Sequence, residues 1–295
     1  MNEPETRTLQ APGAMLYYDI RRADASDHPV LLTIGSPMGA EGFVALAAHF
    51  PDRTVVTYDP RGAGRSPRTD GALVTEVAEH ANDLHRLVSA LDARPVDIFA
   101  SSGGAVNALA LVAKHPEQVR LLVAHEPPAL RELPDSGIVL AACEDMHETY
   151  IKSGFGPAMA KFIALLTLRG TITPEYVAQP APDPAAFGLP AEDDGSRDDP
   201  LLGLNMPSCV EYQHDFDALR AASASGQTRI VLGVGEDSAE MVAGRAAIAV
   251  AARLGVAPVT FPAGHDGFVS GGFGGGGNPD EFAAILRPVL NAGVH

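Results

Sequence analysis

The chain holds 295 residues, 46% of them apolar, with 21 Lys and Arg against 37 Asp and Glu for a formal charge of −16. That length buries a substantial core, as one large domain or a domain with an insertion. The charge argues against nucleic acid and anionic membrane surfaces as partners, since both are bound through clusters of Lys and Arg, and it supplies solubility instead.

The opening residues, MNEPETRTLQ, lack the basic and apolar regions of a signal peptide. No apolar run approaches transmembrane length, so a cytoplasmic location is expected. An early strand is predicted in AMLYYDIRR. Nearly continuous apolar strands follow at VLLTI (30–34), TVVTY (54–58), VDIFA (96–100), RLLVA (120–124), RIVLGV (229–234) and PVTF (258–261). Such runs suit a parallel sheet buried on both faces. Between them Val77, Ala81, Leu84, Val88 and Leu91 recur at steps of four and three, which places them on one helix face. Further helical patterns start near Phe43, Gly104, Ala239 and Asp280. Strand then helix, repeated, predicts an α/β fold with a doubly wound, mostly parallel sheet.

The alternation breaks over 127–227, where PAMAKFIALLTL lies near the acidic, Pro-rich QPAPDPAAFGLPAEDDGSRDDP. We read this stretch as an inserted helical cap, with 1–126 and 228–295 forming the core. The acidic part has no EF-hand spacing and reads as a solvated loop, not a calcium site. Cys143 and Cys209 show neither CxxC spacing nor the density of a disulfide framework, and are read as buried free thiols. The run GGFGGGG fits G-x-G-x-x-G from Gly272 to Gly277. It follows a loop and precedes no complete βαβ unit, so no dinucleotide is implied.

The chemistry-bearing stretch is IFASSGGAVNALALVAKH (98–115), a strand that turns through two serines and two glycines into a helix. In a nucleophile elbow the residues two before and two after the nucleophile must be small, because backbone segments cross closely there. Ser102 satisfies this with Ala100 and Gly104, whereas Ser101 would put Phe99 at the first position. The competing reading of Ser102 is a helix N-cap followed by closely packed glycines.

The elbow ASSGG, the segment YDPRGAGRS (58–66), the loop IGSPMG (34–39) and the late FPAGHDGF (261–268) together resemble the α/β-hydrolase superfamily across nearly the whole chain. The resemblance implies an α/β-hydrolase core with a cap, and a serine hydrolase that needs no cofactor. Ser102 is then the nucleophile and His265 the general base, while His80, His85 and His115 are read as surface or core residues. The N–H groups of Ser36 and Gly103 are expected to form the oxyanion hole. Ile34 stands where the superfamily usually carries histidine, and Pro37 has no N–H to offer.

Two candidates remain for the acid that orients His265. The superfamily commonly places an aspartate three residues after a glycine following the penultimate strand, but in GEDS that spot holds Ser238 and Asp237 comes one residue earlier. Glu126, leaving the strand after the nucleophile strand in LLVAHEPP, is favoured slightly over Asp237. Asp59 and Arg61 are read as pinning a loop. The expected substrate is a small or medium carboxylic ester or related acyl compound. A cofactor-free haloperoxidase or perhydrolase, a non-catalytic small-molecule-binding protein on the same scaffold, and a homo-oligomer are left open.

Overall fold

The computed structural model describes residues 3–92, 95–271 and 276–292. Most of GGFGGGG therefore lies outside the described residues. Among them one sheet runs in the order β1-β2-β4-β3-β5-β6-β7-β8. Its strands are β1 (Glu5–Ala11), β2 (Ala14–Arg21), β3 (Leu31–Ile34), β4 (Val55–Tyr58), β5 (Val96–Ser101), β6 (Val119–His125), β7 (Arg229–Gly235) and β8 (Val259–Phe261). β1, β2 and β4 pair antiparallel, and every pairing from β4 through β3 to β8 is parallel.

The burial of each strand explains its legibility. β3, β4 and β5 are buried at every position and read as apolar runs, whereas β2 alternates buried and half-buried residues because one of its faces meets solvent. β1, ETRTLQA, is mostly exposed and too polar for the sequence to reveal. It is held by a hairpin whose turn is Pro12-Gly13, with Gly13 at φ +74°.

The helices are α1 (Val44–Ala48), α2 (Val77–Ala90), α3 (Gly103–Lys114), α4 (Ser136–Ser153), α5 (Phe155–Thr167), α6 (Pro174–Val177), α7 (Met206–Glu211), α8 (Phe216–Ala224), α9 (Val242–Leu254) and α10 (Pro279–Asn291). On one sheet face Leu84 and Val88 of α2, Leu109 of α3, Leu219 of α8 and Val250 of α9 pack with Ile34, Ala100 and Leu122 of the sheet. The other face carries Phe99, set edge-on to Phe43, Phe268 and Phe282 at ring separations of 6.2, 5.3 and 5.4 Å. Burying each such side chain stabilises the fold by about 1.5–3 kcal/mol. Ala100 and Phe99 thus face opposite cores, as the period of two in a strand requires.

Helices α4 to α7 form a separate apolar cluster, with Val139, Met146, Tyr150, Leu202 and Met206 packed on Val242 and Ala246 of α9. The stretch expected as an insertion, 127–227, also contains α8. That helix packs Phe216, Leu219 and Ala222 into the sheet's own core and returns the chain to β7. Its periodicity resembles that of the helices before it, so the sequence offered no boundary there.

Candidate active site

β3 lies between β4 and β5, so the chain leaves β3 in opposite directions along the sheet at this point. In open α/β sheets ligands bind beside the carboxyl ends of the strands at such a reversal. Ser102 and Glu126 leave the ends of β5 and β6 there, and His265 meets Glu126.

Ser102 follows β5 with φ +56° and ψ −132°, a conformation that costs a non-glycine residue roughly 1–3 kcal/mol. α3 begins at the next residue. A methyl group added at Gly103 would stand 2.7 Å from the Ser36 carbonyl oxygen, and one at Gly104 would stand 2.5 Å from that of Ile34. The glycines therefore let the helix start hard against the loop after β3. Ala100 is fully buried in the cluster that holds Ile34, Ala105 and Ala124, so its methyl group is accommodated. The Ser102 side chain makes no capping hydrogen bond to α3. Among the described residues its Oγ has no hydrogen bond, in contrast to the behaviour of an N-cap.

Ser101 points elsewhere. Its hydroxyl is buried and lies 3.2 Å from His125 Nδ1. Burial pushes His125 down to about 4, and its ring is met edge-on by Phe261, Phe268 and Phe282.

β6 pairs with β5 in parallel, and the Ser102 N–H donates to the His125 carbonyl at 3.0 Å. The next residue, Glu126, turns out of β6 at φ +45° and is wholly buried. Its Oε2 lies 2.6 Å from His265 Nδ1, while Oε1 accepts from the Gly235 N–H at 2.8 Å and from Ser238 Oγ at 2.5 Å. Burial opposes ionisation of this carboxyl, but the hydrogen bond and charge of His265, with the Ser238 hydrogen bond, lower it to about 2. For His265 burial works downward, and the Glu126 hydrogen bond and charge outweigh it to raise the imidazole above its usual value. Nδ1 therefore carries the proton given to Glu126.

Asp237, the other acid candidate, does not meet His265. Its N–H donates to Ala263 and its carbonyl accepts from Arg169, both at 3.0 Å, and the residue is exposed. The one-residue offset seen in GEDS turns Ser238 inward and Asp237 outward. Ser238 thus occupies the inner position and donates to the carboxylate that arrives from β6. The sequence marked this position without revealing that donation, which depends on where another strand ends.

Ser36 is buried beside Gly103, and the N–H groups of the two residues are without a hydrogen bond among the described residues. Two residues whose N–H groups lack a partner among the described residues thus lie side by side at the start of α3. Asp59 accepts from the N–H groups of Ala40 and Arg65, while Arg61 forms a bidentate pair with Asp83, so both hold loops outside this centre. Among the described residues no group of three or more His, Cys, Asp or Glu side chains is arranged to hold a metal ion. Cys143 and Cys209 are free and buried, with burial pushing each thiol up to about 12.

Residues 28–167 match the family model described as alpha/beta hydrolase fold. Over 270 residues the chain is 30% identical to the uncharacterized hydrolase YraK of Bacillus subtilis (strain 168), covering 88% of this chain and 89% of that one. The chain belongs to the α/β-hydrolase fold family. As an α/β hydrolase it also shares its fold with solved structures of low sequence identity. A thermophilic esterase from Thermogutta terrifontis superposes with a TM-score of 0.66 at 20% identity, covering 98% of both chains. Proline iminopeptidase of Mycobacterium smegmatis does so with a TM-score of 0.62 at 17% identity, covering 97% of this α/β hydrolase and 98% of its own chain.

Proposed function

We propose that this hydrolase cleaves small or medium carboxylic esters, or related acyl compounds, through Ser102, His265 and Glu126. Ser102 Oγ attacks the acyl carbon as His265 Nε2 takes its proton. Glu126 holds the imidazole by Nδ1 and stabilises the imidazolium that forms. The carbonyl oxygen, now negative, is held by the N–H groups of Ser36 and Gly103, each worth about 3 kcal/mol in the transition state. His265 then gives its proton to the departing alkoxide. Water, activated by the same base, releases the acid and restores Ser102.

The observation that carries this reading is the 2.6 Å bond between Glu126 and His265, set one residue beyond the carbonyl that accepts the Ser102 N–H. The substrate class rests on the apolar character of the helices between β6 and α8, where Val139, Met146, Leu202 and Met206 share one cluster, and on Cys209 lying near Gly103. A fluorophosphonate probe and a series of p-nitrophenyl esters test it. Ser102 should be labelled, short and medium esters should turn over, and Ser102→Ala should lose both, with kcat down by about 10⁴-fold or more. Wild-type turnover in Ser102→Ala would overturn the proposal.

A further inference from the structure

Ser36 is held from above as well as from beside. Its hydroxyl donates to Asn205 Oδ1 at 3.2 Å, and the same oxygen lies 2.6 Å from His80 Nε2. All three residues are buried. His80 sits on α2, Ser36 in the loop after β3, and Asn205 at the end of a π-type turn, Pro200–Asn205, that leads into α7.

The amide has one orientation consistent with these partners. Asn205 Nδ2 donates to the Pro200 carbonyl at 2.6 Å, which leaves Oδ1 to accept from both the serine and the histidine. His80 must then carry its proton on Nε2. Its Nδ1 is buried without a partner among the described residues, and burial lowers the ring to about 4, which keeps it neutral.

The turn itself is fixed at both ends. Asp199 accepts from the N–H groups of Leu201 and Leu202, the Thr75 N–H donates to the Leu204 carbonyl, and Ser208 Oγ donates to the Thr75 carbonyl. α2 starts with Glu76 and Glu79 each accepting the other's backbone N–H, which sets His80 one residue later. The turn and the start of α2, tied together at Thr75, therefore meet at the Asn205 amide, whose oxygen accepts from the Ser36 hydroxyl.

We propose that Asn205, itself held by His80, is a positioning residue that fixes the oxyanion loop through the Ser36 hydroxyl. The inference rests on the serine-hydrolase reading and assigns Asn205 no contact with substrate. Losing the amide acceptor lets the Ser36 N–H drift from where the negative oxygen forms. A displacement of this kind lowers the rate of the chemical step and leaves ground-state binding alone.

The test is a double-mutant cycle on Ser36→Ala and Asn205→Leu, read as kcat and KM on the best p-nitrophenyl ester and as inhibition by a trifluoromethyl ketone analogue. Each single variant should lower kcat by about 10- to 100-fold and weaken the ketone in proportion, with KM within about threefold. Because both act through one hydroxyl, the double variant should fall no more than about threefold below the weaker single. Should Asn205→Leu fail to fold, Ser36→Ala with His80→Leu puts the same question from the far side of the amide. Multiplying losses, a change confined to KM, or full-rate Asn205→Leu would overturn the proposal. A failure of the serine reading is separate, since it would appear as retained turnover in Ser102→Ala.

Discussion

Glu126 spends one carboxylate oxygen on the protein and the other on His265. The Gly235 and Ser238 donors fix the carboxylate, so its free oxygen meets the imidazole without searching. Glu126→Gln keeps the shape and inverts the hydrogen-bond preference, favouring the wrong tautomer of His265. We expect kcat to drop by about 10⁴-fold, whereas Asp237→Asn, on an exposed side chain, should leave kcat/KM within about twofold. Steady-state kinetics on the two variants, with circular dichroism to confirm folding, checks both. The sequence narrowed the acid to these two residues because their strand positions were readable. It went no further, because the choice depends on a loop bond between Asp237 and Ala263 that no periodicity encodes.

At the scale of elements, the elbow works because α3 starts in contact with the loop after β3. Gly104→Ala drives a methyl group to 2.5 Å from a backbone oxygen that cannot swing aside. It should destabilise the protein by about 1–3 kcal/mol and displace Ser102 with the helix, seen as a lower thermal midpoint and slower fluorophosphonate labelling. The requirement for small residues was legible, since it follows from chain crossing alone. The partners of His80 were not. A histidine on an amphipathic helix gives no sign that an asparagine 125 positions later will reach it.

For the molecule as a whole, the doubly wound and mostly parallel character of the sheet followed from apolar runs alternating with helices, whereas the strand order and the reversal beside β3 came from the structure. What the pattern missed was set by solvent or by packing partners. β1 is a polar edge strand, and α8 looks like its predecessors yet joins the main core. The parts of the site supplied between β6 and α8, Asn205 above all, come from the stretch with the least regular sequence. Among its ties to the rest of the protein are its packing on Val242 and Ala246 of α9 and the bonds made around Arg245. Asp135 binds Arg245 of α9 and accepts the Ile172 N–H at 2.7 Å, and Arg245 also donates to the Gly170 carbonyl.

The pH response of the proposed enzyme follows from how its imidazoles are housed. His265 must be neutral to accept a proton, and its raised affinity for protons puts the acidic fall in kcat/KM above the ordinary histidine value of about 6.5, while Glu126→Gln should move that fall to lower pH. His125, whose ring centre is 6.2 Å away, is walled in by phenyl rings and binds its proton only near 4. Through the working range it is an electrically silent bystander. A logarithmic plot of kcat/KM should therefore descend on its acid side as a straight line of unit gradient, the mark of a lone titrating centre, whereas a gradient of two would mean that the enclosed ring charges as well.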